Sequence, residues 1–404
     1  MTSRRSLLLA STAALLLATS ACASAPSTSA TATATPGHGA IVGAAEVAEP
    51  PLQLVSVDET GAVGILDLLD GATSELGTIG APSATATGGR YVFATTDAGV
   101  EIVDSGVWTW DHVDHFHYYR AEPSVVGTVE GAGPVRVATG MLATVGGTAL
   151  YFEGSREAVL LDNDALSKGK IVELFRIDTG SAAGVATPLG DGALVSDGDA
   201  LRYYTGDGSP ADESIACPSP AGTITTRVGL AVGCSDGAVI ASVEGDRPVL
   251  EHVAYPETVN AERATAFDGR KGRPTVAAIA GDRGFWLLDT RERSWSLVET
   301  DAALVRVTAV DDAEGHVVAL DSDGRVRVYQ AESGEQIAET DALLAETIDA
   351  EQLESVTLVV DGQRAYLNAP AEGVVYEIAY ADGARIARTL ETATASIHIA
   401  EVGR

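Results

Sequence analysis

The chain has 404 residues, of which 46% are hydrophobic and 21% charged, and its 57 acidic and 26 basic residues give a formal net charge of −31. This composition indicates a folded globular protein, because disordered acidic chains contain fewer apolar and more charged residues. The negative charge excludes nucleic acid as a natural partner, since its phosphates would be repelled. It favours cations and basic surfaces instead.

The first 22 residues have the pattern of an export signal. Arg4 and Arg5 form a positive n-region, and residues 7–18 are an apolar run of signal-peptide length, too short to cross a membrane. The following Thr19-Ser20-Ala21-Cys22 resembles a bacterial lipobox. We therefore predict a signal peptide over residues 1–21 and lipidation of Cys22, which anchors the protein to the cell membrane on its extracytoplasmic side. Ordinary secretion, giving a secreted or periplasmic protein, is the alternative.

Residues 22–48 are rich in Ala, Ser, Thr and Pro. A segment of this composition cannot bury enough apolar surface to offset the entropy lost on ordering. It predicts a disordered tether that starts at the lipidated Cys22. A single folded domain is then expected over residues 49–404.

The folded region repeats one unit, which consists of an apolar run, a turn with Asp and Gly, and a second apolar run. Its β-branched and aromatic arms and its glycine turns predict β-hairpins. Eight such hairpins recur, mostly at intervals of roughly 35 to 50 residues, which is the length of a four-stranded propeller blade. They occupy residues 54–67, 91–104, 150–162, 193–204, 230–243, 276–289, 317–329 and 365–378.

This repeat predicts an all-β protein with one β-propeller domain, of eight blades in preference to seven. Helical periodicity is confined to Leu343–Leu353, where a short connecting helix or turn is expected. The C-terminal run Ile397–Val402 alternates like a strand. It is predicted to complete the first blade and so to join the two ends of the ring.

Two cysteines lie inside the predicted propeller. Cys217 precedes a proline, and Cys234 ends a strand-like run. An oxidising compartment favours a disulfide between them. Their spacing does not match a CxxC-type metal or redox site.

The longest interval between hairpins contains three of the seven histidines, in Asp111-His112-Val113-Asp114-His115-Phe116-His117. Imidazoles and carboxylates are the ligands that zinc prefers. His112, His115 and His117, together with Asp111 or Asp114, therefore form a candidate zinc site. In an extended segment His115 and His117 share one face, whereas a loop brings all three imidazoles together.

The alternative is a packed aromatic loop that carries the histidines on its edge and contacts a protein partner without metal. In that case the chain is a non-catalytic scaffold for protein–protein interaction at the cell surface. The sequence has no nucleophile elbow, no phosphate-binding Gly-rich loop and no HExxH motif. We therefore expect no enzymatic activity.

Residues 111–123 and 126–131 together resemble the AztD family of secreted zinc metallochaperones. Similar stretches follow at 177–180, 188–192, 233–237 and 375–388. The resemblance implies a β-propeller that binds Zn²⁺ through histidines and delivers it to the solute-binding protein of a zinc ABC transporter. It also implies further histidines after the Asp-Thr-Gly and Cys-Pro motifs.

Those two positions depart from the family pattern. Ser181-Ala182-Ala183-Gly184 and Pro218-Ser219-Pro220-Ala221-Gly222 contain no histidine. The departure leaves three alternatives for this chain: a zinc site built from the 111–117 segment alone, weaker zinc binding, or a relative that no longer carries metal.

Overall fold

The computed structural model of the chain describes residues 39–112 and 114–404. The predicted signal peptide and the predicted lipidation site at Cys22 lie outside these residues. The described part contains 34 strands and three short helices. The prediction of an all-β protein is therefore confirmed.

The strands of the first half are, in chain order, β1 (Ala45–Val47), β2 (Gln53–Val57), β3 (Ala62–Asp67), β4 (Thr73–Thr78), β5 (Ala84–Thr87), β6 (Tyr91–Thr96), β7 (Gly99–Asp104), β8 (Val107–Asp111), β9 (Phe116–Arg120), β10 (Ser124–Glu130), β11 (Val135–Thr139), β12 (Gly147–Phe152), β13 (Glu157–Asp162), β14 (Glu173–Asp178), β15 (Ala186–Leu189), β16 (Gly192–Asp197) and β17 (Ala200–Tyr204). Those of the second half are β18 (Pro210–Ala216), β19 (Ala221–Thr225), β20 (Leu230–Cys234), β21 (Gly237–Glu244), β22 (Arg247–Ala254), β23 (Thr275–Ile279), β24 (Gly284–Asp289), β25 (Ser294–Glu299), β26 (Leu304–Ala309), β27 (His316–Asp321), β28 (Val326–Gln330), β29 (Gln336–Glu339), β30 (Leu358–Val360), β31 (Ala365–Ala369), β32 (Val374–Ala379), β33 (Arg385–Leu390) and β34 (His398–Val402). The helices are α1 (Asn163–Ser167), α2 (Ala345–Asp349) and the 3-10 helix Leu353–Ser355.

Among the described residues, eight of the nine sheets are antiparallel meanders, and each contains one of the eight predicted hairpins. Seven are four-stranded, and β23-β24-β25 has three strands. This succession of small sheets is the β-propeller that the repeat predicted. The number of blades, eight in preference to seven, stays a prediction.

The ring is closed by strands from the two ends of the described chain. The first sheet has the order β34-β2-β3-β4, and β34 pairs antiparallel with β2, with Ala400 opposite Val55. The predicted role of the C-terminal run is therefore confirmed. The pairing also covers the backbone edge of β2, which would otherwise be open to other chains.

The middle strands of the blades are buried on both faces because each blade packs between two neighbours. All five residues of β2 are buried. The strand in the equivalent position of a later blade, β20, is also buried along its whole length. The outer strand β18 instead alternates between exposed and half-buried residues with a period of two. The core is therefore a series of apolar layers between blades rather than one central cluster.

The predicted disulfide is present. Cys217 and Cys234 are bonded, with Cα atoms 5.0 Å apart, and both side chains are fully buried. Cys217 follows β18 and Cys234 ends β20, so the bond links two neighbouring sheets. It therefore crosses one of the apolar layers between blades.

The predicted boundary at residue 48 is wrong, because the folded part begins earlier. Ala45–Val47 pairs antiparallel with β9, with Glu46 opposite Tyr119. Gly39 packs so closely on Trp110 that a Cβ atom there would overlap the indole ring. Composition alone suggested a tether, but pairing with a distant strand supplies the backbone partners that order this segment.

The first helix, α1, is capped by the residue that precedes it. The Asp162 carboxylate accepts hydrogen bonds from the Asp164 and Ala165 amides, at 2.8 and 3.3 Å, and so caps α1. This helix is too short to show helical periodicity, which explains why the sequence did not predict it. The helix expected over Leu343–Leu353 is present as α2.

Among the described residues, no helix is both long and apolar enough to span a membrane.

Candidate metal centre

The histidine segment forms the tip of a β-hairpin that inserts between β7 and β10 of the second blade. In this hairpin β8 pairs with β9, with Trp110 opposite His117 and Asp111 opposite Phe116. The turn is closed by the His112 amide, which donates to the His115 carbonyl at 2.9 Å. With β1 at its other edge, the hairpin makes the ninth sheet, in the order β1-β9-β8.

The base of the hairpin is held by buried aromatic rings. Trp108 and Tyr119 are both 1% exposed, and their rings stack with centroids 5.2 Å apart. The Arg90 guanidinium lies 4.0 Å from the centre of the Trp108 ring and forms a buried ion pair with Asp104. Ring stacking and a cation–π contact of this kind stabilise the base of the hairpin.

The three histidines converge at the tip. One ring nitrogen from each of His112, His115 and His117 lies within 4.8 Å of the other two. The rings of His112 and His115 are parallel with centroids 4.8 Å apart, and His117 meets both edge-on. His117 is on a strand and the other two are on the turn, so the structure combines the extended and loop arrangements considered from the sequence.

The hydrogen bonds of two histidines fix which nitrogen faces the cluster. His115 Nδ1 lies 2.9 Å from Asp114 Oδ1, and His117 Nδ1 lies 2.7 Å from Glu46 Oε1. A carboxylate accepts hydrogen bonds and does not donate them, so each Nδ1 carries the hydrogen. Both Nε2 atoms then point lone pairs at each other across 3.1 Å.

Two facing lone pairs repel, so this contact is favourable only with a proton or a metal ion between the rings. For Zn–N bonds of about 2.0–2.1 Å in a tetrahedron, two ligand nitrogens are about 3.3 Å apart. The observed separation of 3.1 Å is close to that value. The donor set and its spacing therefore fit zinc.

The carboxylates around the site have different positions. Asp114 contacts His115, and this hydrogen bond holds the pKa of the Asp114 carboxyl below its usual value. Asp111 instead forms an ion pair with Arg227, from the turn between β19 and β20. The register of the hairpin places Asp111 on the face opposite His117. Both predicted carboxylate ligands remain predictions, and Asp114 is the better placed of the two.

Glu46 is the neighbour of the candidate site that the sequence did not reveal. It lies on β1, 71 positions before His117, inside the segment predicted to be a tether. Carboxylates that hold the second ring nitrogen of a ligand histidine fix its orientation and raise its basicity. Only the alternating residues of Ala45–Val47 hint at a strand, and nothing in them indicates its partner.

Replacing Glu46 with Gln is expected to weaken zinc binding about tenfold, because the carboxylate that orients His117 is lost. Competition with a chromophoric chelator measures this change. Glu59→Gln, at an exposed turn between β2 and β3, is the matched control. An unchanged affinity in Glu46→Gln would show that His117 is oriented without Glu46.

Two other groups of potential ligands are present among the described residues. Cys234, Asp236 and His252 lie close together, but the sulfur of Cys234 is bonded to Cys217. Asp312, Glu314 and His316 form the second group, in which His316 Nδ1 lies 2.6 Å from Asp312 Oδ2. The hairpin is the group that offers three imidazoles.

Fold and site together define the chain as a β-propeller with a histidine hairpin suited to a metal ion. No protein-family model matches the sequence, and no curated protein sequence matches it. Among solved structures, AztD from Citrobacter koseri superposes with a TM-score of 0.73 at 19% identity, covering 87% of this chain and 97% of that one. Apo AztD from the same organism gives 0.72, with the same identity and coverage.

The computationally designed protein Ika8 gives a TM-score of 0.52 at 14% identity, over 82% of this chain and 93% of its own. The chain therefore has an AztD-type fold, as the resemblance of residues 111–131 implied. At these identities the comparison concerns the fold.

Proposed function

We propose that this protein is an extracytoplasmic zinc metallochaperone, which binds one Zn²⁺ at the hairpin tip and delivers it to the solute-binding protein of a zinc ABC transporter. The observation that carries the proposal is the pair of Nε2 atoms at 3.1 Å, whose Nδ1 atoms both lie beside carboxylates. The AztD-type fold supports the same proposal.

The position of the ligands suits a protein that must release its metal. The His115 side chain is 54% exposed, whereas His117 is 21% exposed and anchored on a strand. An incoming ligand from another protein can reach the metal from the His115 side and replace the turn residues first. His112, His115 and His117 are the proposed ligands, with Asp114 preferred to Asp111 as the fourth.

The charge of the chain supports a cation as cargo. A net charge of −31 raises the local concentration of cations near the surface. A lipid on Cys22 and a tether to the first strand would keep the propeller near a transporter in the same membrane. We propose this lipoprotein arrangement together with the carrier function, and we propose no enzymatic activity.

The test is transfer of zinc between proteins. The zinc-loaded domain is mixed with the metal-free solute-binding protein encoded beside a zinc importer of the same organism. With a strong chelator present as a trap, a carrier delivers zinc to the binding protein faster than zinc appears on the chelator. Equal rates would mean release to solvent and would contradict the carrier function.

A second function, a metal-free interaction scaffold, is favoured by the apolar side chains near the hairpin. Phe116 is 50% exposed and Leu69 is 63% exposed, and exposed aromatic residues are typical of protein interfaces. Stoichiometric zinc binding distinguishes the two functions. A scaffold without metal would bind no tight equivalent of zinc.

A further inference from the structure

A cavity of about 710 Å³ lies beneath the hairpin, on the side away from the histidines. Thr109, Asp111, Phe116 and Tyr118 form its roof. Its walls include the apolar residues Leu52, Met141 and Leu142. The volume is within the range of about 300–1,000 Å³ that is usual for small-molecule sites.

The cavity is rich in basic residues for so acidic a protein, since its lining holds five basic and four acidic side chains. Its lining includes five of the 26 basic residues of the chain, namely Arg227, Arg270, Lys271, Arg273 and Arg404. Acidic residues also line it, among them Asp361 and the fully buried Glu401. The partners of the basic side chains therefore decide whether any positive charge is left for a ligand.

Four of the five basic side chains are satisfied within the protein. Arg227 pairs with Asp111, and Lys271 Nζ donates to the Gly88 and Arg404 carbonyls at 2.7 and 3.1 Å. Arg273 donates to the Asp311 carbonyl. Arg404 donates to the Val360 carbonyl at 2.8 Å and pairs with Glu401 at 3.2 Å.

Arg270 differs from these four. Its side chain makes no hydrogen bond or ion pair within the described ranges, although it is half-buried. Its guanidinium lies against the backbone of Gly362, where a Cβ atom would be 2.8 Å from Arg270 Nη1. Burial and the nearby charge of Arg273 lower the pKa of Arg270, and they outweigh Tyr380, Asp312 and Asp311, which raise it from a distance. A half-buried cation beside another cation is costly unless an anion joins it.

We propose that this cavity binds a small organic carboxylate, with its carboxylate group on Arg270 and its apolar body against Leu52, Met141 and Leu142. A guanidinium offers a planar pair of N–H donors that matches a carboxylate, and such charge-assisted pairs are among the stronger hydrogen bonds. The apolar walls favour a ligand with a hydrocarbon body over an inorganic anion. This site uses the opposite face of the hairpin from the histidines and does not depend on the zinc proposal.

The probe is hexanoate, with the uncharged hexanamide as its matched control, and the protein is metal-free. Hexanoate is expected to raise the melting temperature in a dose-dependent way and to give a binding isotherm by calorimetry. Hexanamide, which has the same apolar body, is expected to do neither. Absence of hexanoate binding at tens of millimolar, or equal binding of the two probes, would overturn the proposal.

Arg270→Gln tests the residue. It is expected to weaken hexanoate binding about tenfold or more, since a charge-assisted pair is lost, while Arg291→Gln, at an exposed turn, leaves it unchanged. Removal of an unpaired cation is expected not to lower the melting temperature of the ligand-free protein. Arg270→Lys keeps the charge without the paired donors and should bind with intermediate affinity. Wild-type affinity in Arg270→Gln would overturn the assignment.

Discussion

Replacing His112, His115 and His117 together with Ala is expected to abolish tight zinc binding and to leave the propeller folded. Loss of all three imidazoles removes the nitrogen ligands of the proposed site, and carboxylates alone bind zinc far less tightly, by about a hundredfold or more. Chelator competition on the purified domain measures the affinity and the stoichiometry. One tight equivalent in the wild type and none in the variant is the expected result.

The fold should survive because the histidines contribute little to the core. Asp114 and His115 are exposed at the tip, while the hairpin is held at its base by Trp108 and Tyr119, both 1% exposed. The melting temperature is therefore expected to change by only a few degrees, as for surface substitutions in general. Thermal unfolding followed by circular dichroism checks this part.

The matched control is His252→Ala. His252 also lies beside a carboxylate, with Nε2 at 3.0 Å from Asp236, but it has no second imidazole near it among the described groups of potential ligands. The His252→Ala variant should bind zinc with the same affinity and stoichiometry as the wild type. If the triple variant kept one tight equivalent, the site would lie elsewhere, and the group at Asp312 and His316 would be the next to test.

Much of the fold could be predicted because it depends on local patterns that repeat. Each hairpin combines β-branched arms with a turn that requires positive φ, such as Gly198 with φ of 61°, and these features lie within a few residues of each other. The same reasoning found the three histidines, since they are within six positions. The disulfide followed from the compartment and from the presence of just two cysteines in the domain.

The features that were missed depend on contacts between distant parts of the chain. Glu46 reaches His117 across 71 positions, and Asp111 pairs with Arg227 across 116. In both pairs, the sequence around each residue contains no pattern that identifies its partner. Ala45–Val47 was assigned to a tether for the same reason, because three residues of strand become stable only against β9. The composition of a segment indicates the conformation that it prefers in isolation. These segments are ordered by contacts with distant parts of the fold, which composition does not describe.

The second large effect is expected at the closure of the ring. Deleting residues 397–404 removes β34, whose five residues pair with all five of β2. Ile399 and Val402 are at most 3% exposed, and burying such side chains contributes about 1.5–3 kcal/mol each. With the ladder hydrogen bonds added, the loss is comparable to the whole stability of a typical domain, about 5–15 kcal/mol. We therefore expect loss of cooperative unfolding in urea and aggregation through the open edge of β2.

A truncation at the other end provides the control. Starting the chain at Glu49 removes β1, which also pairs along a single edge, but β1 belongs to the hairpin sheet and not to a blade. That variant is expected to keep the cooperative unfolding of the propeller while binding zinc more weakly, because Glu46 is gone.

A peptide of residues 396–404 added in trans should restore cooperative unfolding to the C-terminal deletion. If the deletion unfolded like the wild type without the peptide, closure by β34 would not stabilise the ring, and the layers between blades would suffice.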